Sequence, residues 1–183
     1  YSLCTNEGCM PSKTLIASAH AKHLIEQAKK FGIKAGKPVV DWHAMQKRVK
    51  NLVESDFFGA RARMIKKSGI KVVKGSAQFT SSHEIKVAGK TYSAKYFVIA
   101  TGSSANMPRI QGLDEVEVLD SSKALYRKKL PKSLIVVGGG YISVELGSLF
   151  HAMGVKVTIL ERGDHLLARL DSDIGKELQK LMK

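Results

Sequence analysis

Two cysteines, Cys4 and Cys9, stand five positions apart and are the only thiols of the chain. Such a pair can form a reversible disulfide, or it can remain inert as two small buried side chains. His20 and His23 follow closely, so a zinc site of two cysteines and two histidines is a further alternative. A secreted scaffold held by disulfides would carry more cysteines, spread along the chain. Thiol–disulfide exchange is therefore the first candidate chemistry.

The surroundings of Cys9 favour a reactive thiol. A helix is predicted to begin beside it, since Pro11 suits the first turn, and both the helix dipole and Lys13 would favour the thiolate. In an ideal helix, Cα atoms five residues apart are roughly 8–9 Å apart, whereas a disulfide needs less than about 7 Å. The pair can bridge only if the chain before Pro11 is distorted, which Gly8 permits.

A glycine-rich turn offers a second candidate chemistry. The pattern Gly138-x-Gly140-x-x-Ser143 matches the dinucleotide fingerprint except at its third position, where glycine or alanine is usual. The glycines allow close approach of a pyrophosphate, and the helix that follows supplies amide donors. Glu161 ends the next strand at about the 20-residue spacing at which a carboxylate binds the ribose 2′-hydroxyl. This predicts NAD rather than NADP, although Arg162 would soften the preference, and the alternative is a glycine turn of another α/β domain.

The elements that must position these residues are predicted from hydrophobic periodicity. One helix is predicted over residues 11–30 and another from about residue 41, with Phe57 on its apolar face, while residues 1–10 are expected to be irregular. Four short runs of β-forming residues predict a small meander, at 70–73, 77–79, 84–87 and 91–99. A βαβ unit follows, with a buried-type strand at 134–137, a helix at 141–151 and a strand at 155–160, before a last helix from 173.

The composition is that of a globular protein with an excess of cations. Lysine and arginine number 30 against 16 acidic residues, a formal net charge of +14. The cations are spread along the chain with few aromatic residues among them, which favours solvated faces over a nucleic-acid site. No apolar run approaches the roughly 18 residues of a membrane helix, so no membrane partner is expected.

Four motifs in order resemble the class I pyridine nucleotide–disulfide oxidoreductases, the family of dihydrolipoamide dehydrogenase, mercuric reductase and glutathione reductase. Residues 4–13, Cys-x4-Cys-x-Pro-Ser-Lys, resemble the family's active-site sequence. Residues 70–79 resemble the strand that passes the adenosine of FAD, residues 91–102 the second flavin motif, and residues 138–145 the NAD motif. The resemblance covers nearly the whole chain.

The resemblance implies an α/β fold in two parts. Residues 1–128 would belong to an FAD-binding Rossmann-like domain that includes the β-meander, and residues 129–183 would form the first βαβ unit of an NAD-binding Rossmann domain. The first βαβ unit of the FAD domain and the dimerisation domain with its His–Glu acid–base pair are expected outside these residues, so this piece alone is expected to be inactive. A cytoplasmic homodimer is expected for the complete chain.

Residue roles follow from the same resemblance. Cys4 would exchange with the substrate disulfide, Cys9 would form the charge-transfer thiolate, and Lys13 would lie near the reactive flavin nitrogen, paired with Glu145. Tyr141 would cover the nicotinamide pocket. The residues expected to contact FAD are Lys13, Ala77, Thr101, Gly102 and Ser103, and those expected to contact NAD are Gly138, Gly140, Tyr141, Ser143 and Glu161. Hydride would pass from NADH to FAD and electrons on to the disulfide, or in reverse.

Within the family, Ser12 and Glu161 favour an NAD-linked dihydrolipoamide dehydrogenase, acting on a small-molecule disulfide or a lipoyl domain. Mercuric reductase shares the Pro-Ser-Lys form and is the nearest alternative, followed by glutathione reductase. No bound metal and no nucleic-acid partner are expected. A basic nucleic-acid-binding module or a zinc-binding module remains the alternative from another class.

Overall fold

A computed structural model describes residues 2–54 and 59–183 of the chain. The helices within these ranges are α1 (Leu3–Asn6), α2 (Cys9–Gln27), α3 (Trp42–Asn51), α4 (Gly59–Lys67), α5 (Ser121–Leu125), α6 (Tyr141–Ala152) and α7 (Ser172–Leu181). The strands are β1 (Ala77–Ser81), β2 (Glu84–Val87), β3 (Lys90–Ser93), β4 (Ser133–Val137) and β5 (Lys156–Leu160). Short 3-10 helices lie at Ala28–Phe31 and Leu113–Glu115.

The first two predicted helices are present as α2 and α3, and Asp41 caps α3 by accepting from the Ala44 amide at 2.9 Å. The prediction of an irregular start was wrong, because α1 forms one helical turn and α2 already begins at Cys9. Phe57, predicted on the apolar face of the second helix, lies outside the described residues. No helix in the described ranges is both long and apolar enough to cross a membrane.

The predicted βαβ unit is confirmed. Strands β4 and β5 pair in parallel from Ser133 opposite Lys156 to Val137 opposite Leu160, and α6 connects them. Helix α6 approaches the sheet closely at Gly147, where an added Cβ would lie 3.2 Å from Cδ1 of Ile159. The close packing usually given by the third glycine of the fingerprint is thus supplied one turn later, which accommodates Ser143.

One face of this two-stranded sheet is open to solvent. Ile135, Val137 and Leu160 are 65%, 55% and 52% exposed, whereas the alternate residues of both strands are half-buried. The strand at 134–137 was predicted to be of the buried type. In the structure, one of its two faces is exposed instead. Parallel sheets are normally covered on both faces. In the described part of the chain, the main packing partner of this sheet is α6.

The β-meander is present but shorter than predicted. Strands β1, β2 and β3 pair antiparallel in chain order. The runs at 70–73 and 94–99 are not strands, because neither finds a ladder partner among the described residues, and Val98 is 91% exposed. Apolar β-forming composition alone does not make a strand when the hydrogen-bonding neighbour is missing.

Helices α2, α3, α5 and α6 share one hydrophobic core. Its most enclosed side chains include Leu15, Val49, Leu125 and Phe150, all at most 2% exposed. Trp42 tilts its ring against Phe150, with centroids 6.1 Å apart. The core extends across the domain boundary predicted at 128/129, which stays a prediction.

The substitution Phe150→Ala is expected to lower the free energy of unfolding by about 3–5 kcal/mol, because it leaves a cavity in the shared core. Urea titration followed by tryptophan fluorescence measures the loss. Phe31→Ala is the matched control: Phe31 is 70% exposed, and its truncation should cost less than about 0.5 kcal/mol. Equal losses in the two variants would contradict this description of the core.

Candidate functional site

The two cysteines lie on either side of a break between helices. Helix α1 ends at Asn6, and α2 begins at Cys9 after Gly8, whose carbonyl accepts the Ser12 amide at 3.0 Å. A Cβ on Gly8 would lie 3.3 Å from the Leu3 carbonyl oxygen, so the chain folds back too closely for most side chains. The distortion expected at Gly8 is therefore present, and it returns Cys4 towards Cys9.

Both cysteines are exposed free thiols, and the Cys9 side chain acts on the ionisation of Cys4. A side-chain hydrogen bond with Cys9 is the main reason that the pKa of Cys4 lies above its usual value of 9.0, and the nearby charge of Arg61 opposes the shift. Two thiols on either side of a helix break can form a disulfide when their Cα atoms come within about 7 Å. The break at Gly8 is thus compatible with a pair that cycles between dithiol and disulfide.

The turn that carries Cys4 is held from two other helices. Arg61 of α4 donates to the hydroxyl of Thr5 at 2.6 Å, and Thr5 is only 2% exposed. Tyr126 donates to the Asn6 carbonyl at 2.5 Å, and Ser122 of α5 donates to the Glu7 carboxylate at 3.2 Å. These partners are 56 to 120 positions away in sequence. No sequence motif predicted these contacts.

A carboxylate from α6 meets the first turn of α2. The Lys13 ammonium and the Ser12 hydroxyl both bond to Oε1 of Glu145, the latter at 2.8 Å. Burial alone would raise the pKa of Glu145, but the hydrogen bonds from Lys13 and Ser12, with the Lys13 charge, bring it below 4.5. The expected contact between Lys13 and Glu145 is thus present, and sequence reasoning missed the part played by Ser12.

The glycine turn is joined to Glu161. Its two carboxylate oxygens accept from the amides of Gly139 at 2.5 Å and Gly163 at 2.8 Å. These bonds, that of Gly163 foremost, lower the pKa of Glu161 below 4.5. A Cβ at Gly139 would lie 2.9 Å from the Glu161 carboxylate and 2.8 Å from Cδ2 of Leu166, so glycine lets both side chains lie against the middle of the turn.

The turn has the features that a dinucleotide needs. Space is open above Gly138 and Gly140, and no side chain caps the start of α6, which leaves its first amides free of a side-chain acceptor. Each Glu161 oxygen keeps a second lone pair that can accept a ribose hydroxyl. Tyr141 is 74% exposed at the first position of α6 and Ser143 is half-buried beside it. These features are compatible with a bound dinucleotide.

The residues expected to contact FAD are not gathered in the described structure. Ala77 begins β1, and Thr101, Gly102 and Ser103 lie in an irregular exposed segment, with no recorded contact to Lys13. On their own they do not form a flavin pocket. Nor do the described residues contain a group of three or more His, Cys, Asp or Glu side chains arranged to hold a metal ion, so the zinc alternative gains no support there.

Removing the Cys9 thiol by Cys9→Ala is expected to lower the pKa of Cys4, because the hydrogen bond that raises it is lost. Cys4 in the reduced variant should therefore react faster with iodoacetamide at pH 8 than Cys4 of the wild type. Mass spectrometry of the alkylated peptide gives the rate at each pH. Cys9→Ser, which keeps a polar partner, should lie between the two, and an unchanged rate in Cys9→Ala would contradict the thiol contact.

The Glu161 contacts predict a pH-dependent stability. Because the folded-state pKa lies below 4.5, the carboxylate stabilises the fold above that pH and loses this effect as pH falls through the folded pKa. Glu161→Gln should therefore be less stable than wild type at pH 7, with a gap that narrows as the pH falls below 4.5 and through the folded-state pKa. Denaturation across pH measures it, and Glu177→Gln, which removes only an exposed pair with Lys180, should show almost no gap.

Comparison with known proteins agrees with this arrangement. Residues 2–183 match the family model for pyridine nucleotide-disulphide oxidoreductases. The chain is 37% identical to mercuric reductase of Bacillus cereus, over 98% of this chain and 28% of the relative, and 38% identical to dihydrolipoyl dehydrogenase of Bacillus subtilis, over 98% and 40%. The solved structure of the HOCl-induced flavoprotein disulfide reductase RclA from Escherichia coli aligns with a TM-score of 0.75 at 30% identity, covering 98% of this chain and 38% of that one.

The chain spans well under half the length of these three relatives. The match nevertheless extends over all four motifs and almost every residue. This chain belongs to the pyridine nucleotide-disulphide oxidoreductase family.

Proposed function

We propose that the complete protein is an FAD-dependent disulfide oxidoreductase that passes electrons between NAD(H) and the Cys4–Cys9 pair. The observation that carries the proposal is the contact between α2, which begins at the redox pair, and α6, which begins at the glycine turn, through Lys13 and Glu145. A thiol pair and a nucleotide-binding turn are thereby held on adjoining helices. FAD, when bound, would link hydride transfer from the nucleotide to thiol–disulfide chemistry.

The residues of this chain have distinct parts in the proposal. Cys4 and Cys9, as a dithiol, would reduce a substrate disulfide by exchange: a thiolate attacks one substrate sulfur, and the second thiolate displaces the reduced substrate as the Cys4–Cys9 bond forms. Two electrons leave the protein and two thiols of the substrate are released. Glu145 would balance the Lys13 charge, and Glu161 would accept from the ribose hydroxyls.

The dinucleotide is proposed to be NAD rather than NADP. A 2′-phosphate would approach Glu161, whose pKa the Gly163 and Gly139 amides keep low, so the carboxylate is ionised at neutral pH and repels it. FAD is proposed to contact Lys13, Ala77 and residues 101–103, once the rest of the protein completes the site. A cytoplasmic homodimer is proposed for the complete chain.

The substrate is proposed to be a dihydrolipoyl group, as the names of the dihydrolipoyl dehydrogenases among the relatives suggest. Its dithiol would reduce the Cys4–Cys9 disulfide by the reverse of the exchange described above, and the electron pair would pass to NAD⁺ by way of FAD. The similarity to mercuric reductases at 37% identity supports a second candidate, reduction of Hg(II). Purified complete protein would be assayed for NAD⁺ reduction by dihydrolipoamide and for Hg(II)-dependent oxidation of reduced nicotinamide nucleotide. Dominance of the second activity would replace the first assignment while leaving the family chemistry intact.

The redox proposal is tested by anaerobic titration of the complete protein with NADH, followed by visible absorption. We expect a flavin spectrum that gains a long-wavelength band on reduction, since a thiolate beside the flavin gives charge transfer. Cys9→Ser should abolish the band, whereas Cys4→Ser, the matched control, should keep a band because the Cys9 thiolate remains. If the flavin is bleached and no band appears, the cysteines are not in contact with the flavin. A purified protein without flavin absorption would contradict the proposal.

A further inference from the structure

The hydroxyl of Ser12 has two acceptors within reach. Its Oγ lies 2.8 Å from Oε1 of Glu145 and 3.3 Å from the carbonyl oxygen of Cys9. A serine hydroxyl carries a single proton and donates one bond at a time. The shorter distance and the charge of the carboxylate favour donation to Glu145.

Ser12 and Lys13 approach the same carboxylate oxygen from different environments. The Lys13 side chain is 64% exposed, so solvent screens its attraction to Glu145 and leaves the pair weak. Ser12 is only 5% exposed. Little water reaches its hydroxyl, so loss of Glu145 would leave it only the longer bond to the Cys9 carbonyl. The contact on the buried side therefore fixes where the carboxylate lies.

We propose that Ser12 is a positioning residue of the redox site: its buried hydroxyl fixes the Glu145 carboxylate, and through it Lys13, against the helix that begins at Cys9. This inference rests on the proposed function, because Lys13 and Glu145 gain a redox role only there. It assigns to the serine of the Pro-Ser-Lys sequence a task that the sequence alone did not reveal.

The charges around Glu145 make the consequence specific. Lys13 of α2 is the charged group that acts on this carboxylate among the described residues, and strands β4 and β5, which pack against α6, contribute no charge to it. The Ser12 hydroxyl donates a hydrogen bond that stabilises the ionised form of Glu145, and Ser12→Ala removes this bond. Protonation of Glu145 therefore becomes easier, and its pKa rises.

The experiment compares wild type and variants of the complete protein, labelled with ¹³C at glutamate carboxyl groups and titrated by NMR. The Glu145 resonance is assigned by its loss in Glu145→Gln. Ser12→Ala should raise the midpoint by about one unit, and Ser12→Thr, which restores a hydroxyl, should return it towards wild type. If Ser12→Ala does not fold, Ser12→Cys, a weak donor of similar size, should give a smaller rise.

Thr14→Val is the matched control. Thr14 is 6% exposed on the same helix, but its hydroxyl donates to the Met10 carbonyl at 2.7 Å and does not contact Glu145. Its loss should destabilise the protein without moving the Glu145 titration. A midpoint that shifts equally in Ser12→Ala and Thr14→Val, or in neither, would overturn the proposal.

A second readout connects the contact to redox chemistry. The acid limb of the pH profile for flavin reduction by NADH should move up with the NMR midpoint in Ser12→Ala and stay in place in Thr14→Val. An NMR shift with an unmoved acid limb would overturn the positioning role. Absence of NADH-reducible flavin in the wild type would instead refute the proposed function, while the NMR titration would still decide whether Ser12 controls Glu145.

Discussion

The packing of α2 against α6 determines how the two parts of the candidate site are placed relative to each other. Leu15 from α2 and Phe150 from α6 are both enclosed in one core, so the two helices cannot shift independently without opening a cavity. Cys9 lies at the start of one helix and the glycine turn at the start of the other. Apolar packing therefore sets the position of the thiol pair relative to the glycine turn.

Polar contacts add to the hydrophobic core in fixing the positions of α2, α6 and the turn that carries Cys4. Ser12 and Lys13 meet Glu145 where α2 and α6 adjoin, and Arg61 and Tyr126 hold the turn with Cys4 from outside. The first contact couples the two helices, whereas the second set restrains a segment too short to be stable by itself. The thiol pair is consequently positioned from both sides, by α2 and by side chains that belong to α4 and the end of α5.

What the sequence predicted well was local. The βαβ unit follows from strand-length apolar runs, a glycine turn and helical periodicity within about 30 residues, and the break at Gly8 follows from the reach of a disulfide. The strand predicted at 70–73 is absent, and the one predicted at 91–99 ends at Ser93. A strand depends on a hydrogen-bonding partner that composition does not specify. Ser12 and Arg61 were missed because their contacts join residues far apart in sequence, and nothing in either residue's own neighbourhood indicates the partner.

Gly147 shows how a purely structural position can govern the chemistry. It touches neither thiol nor carboxylate, yet an added Cβ would lie 3.2 Å from Cδ1 of Ile159, so that the isoleucine side chain or α6 would have to move by a few tenths of an ångström. Glu145 lies two residues earlier on that helix, so any movement of α6 would reach its contact with Lys13. A helix–sheet contact that contains no candidate site residue thus helps to set where this carboxylate lies.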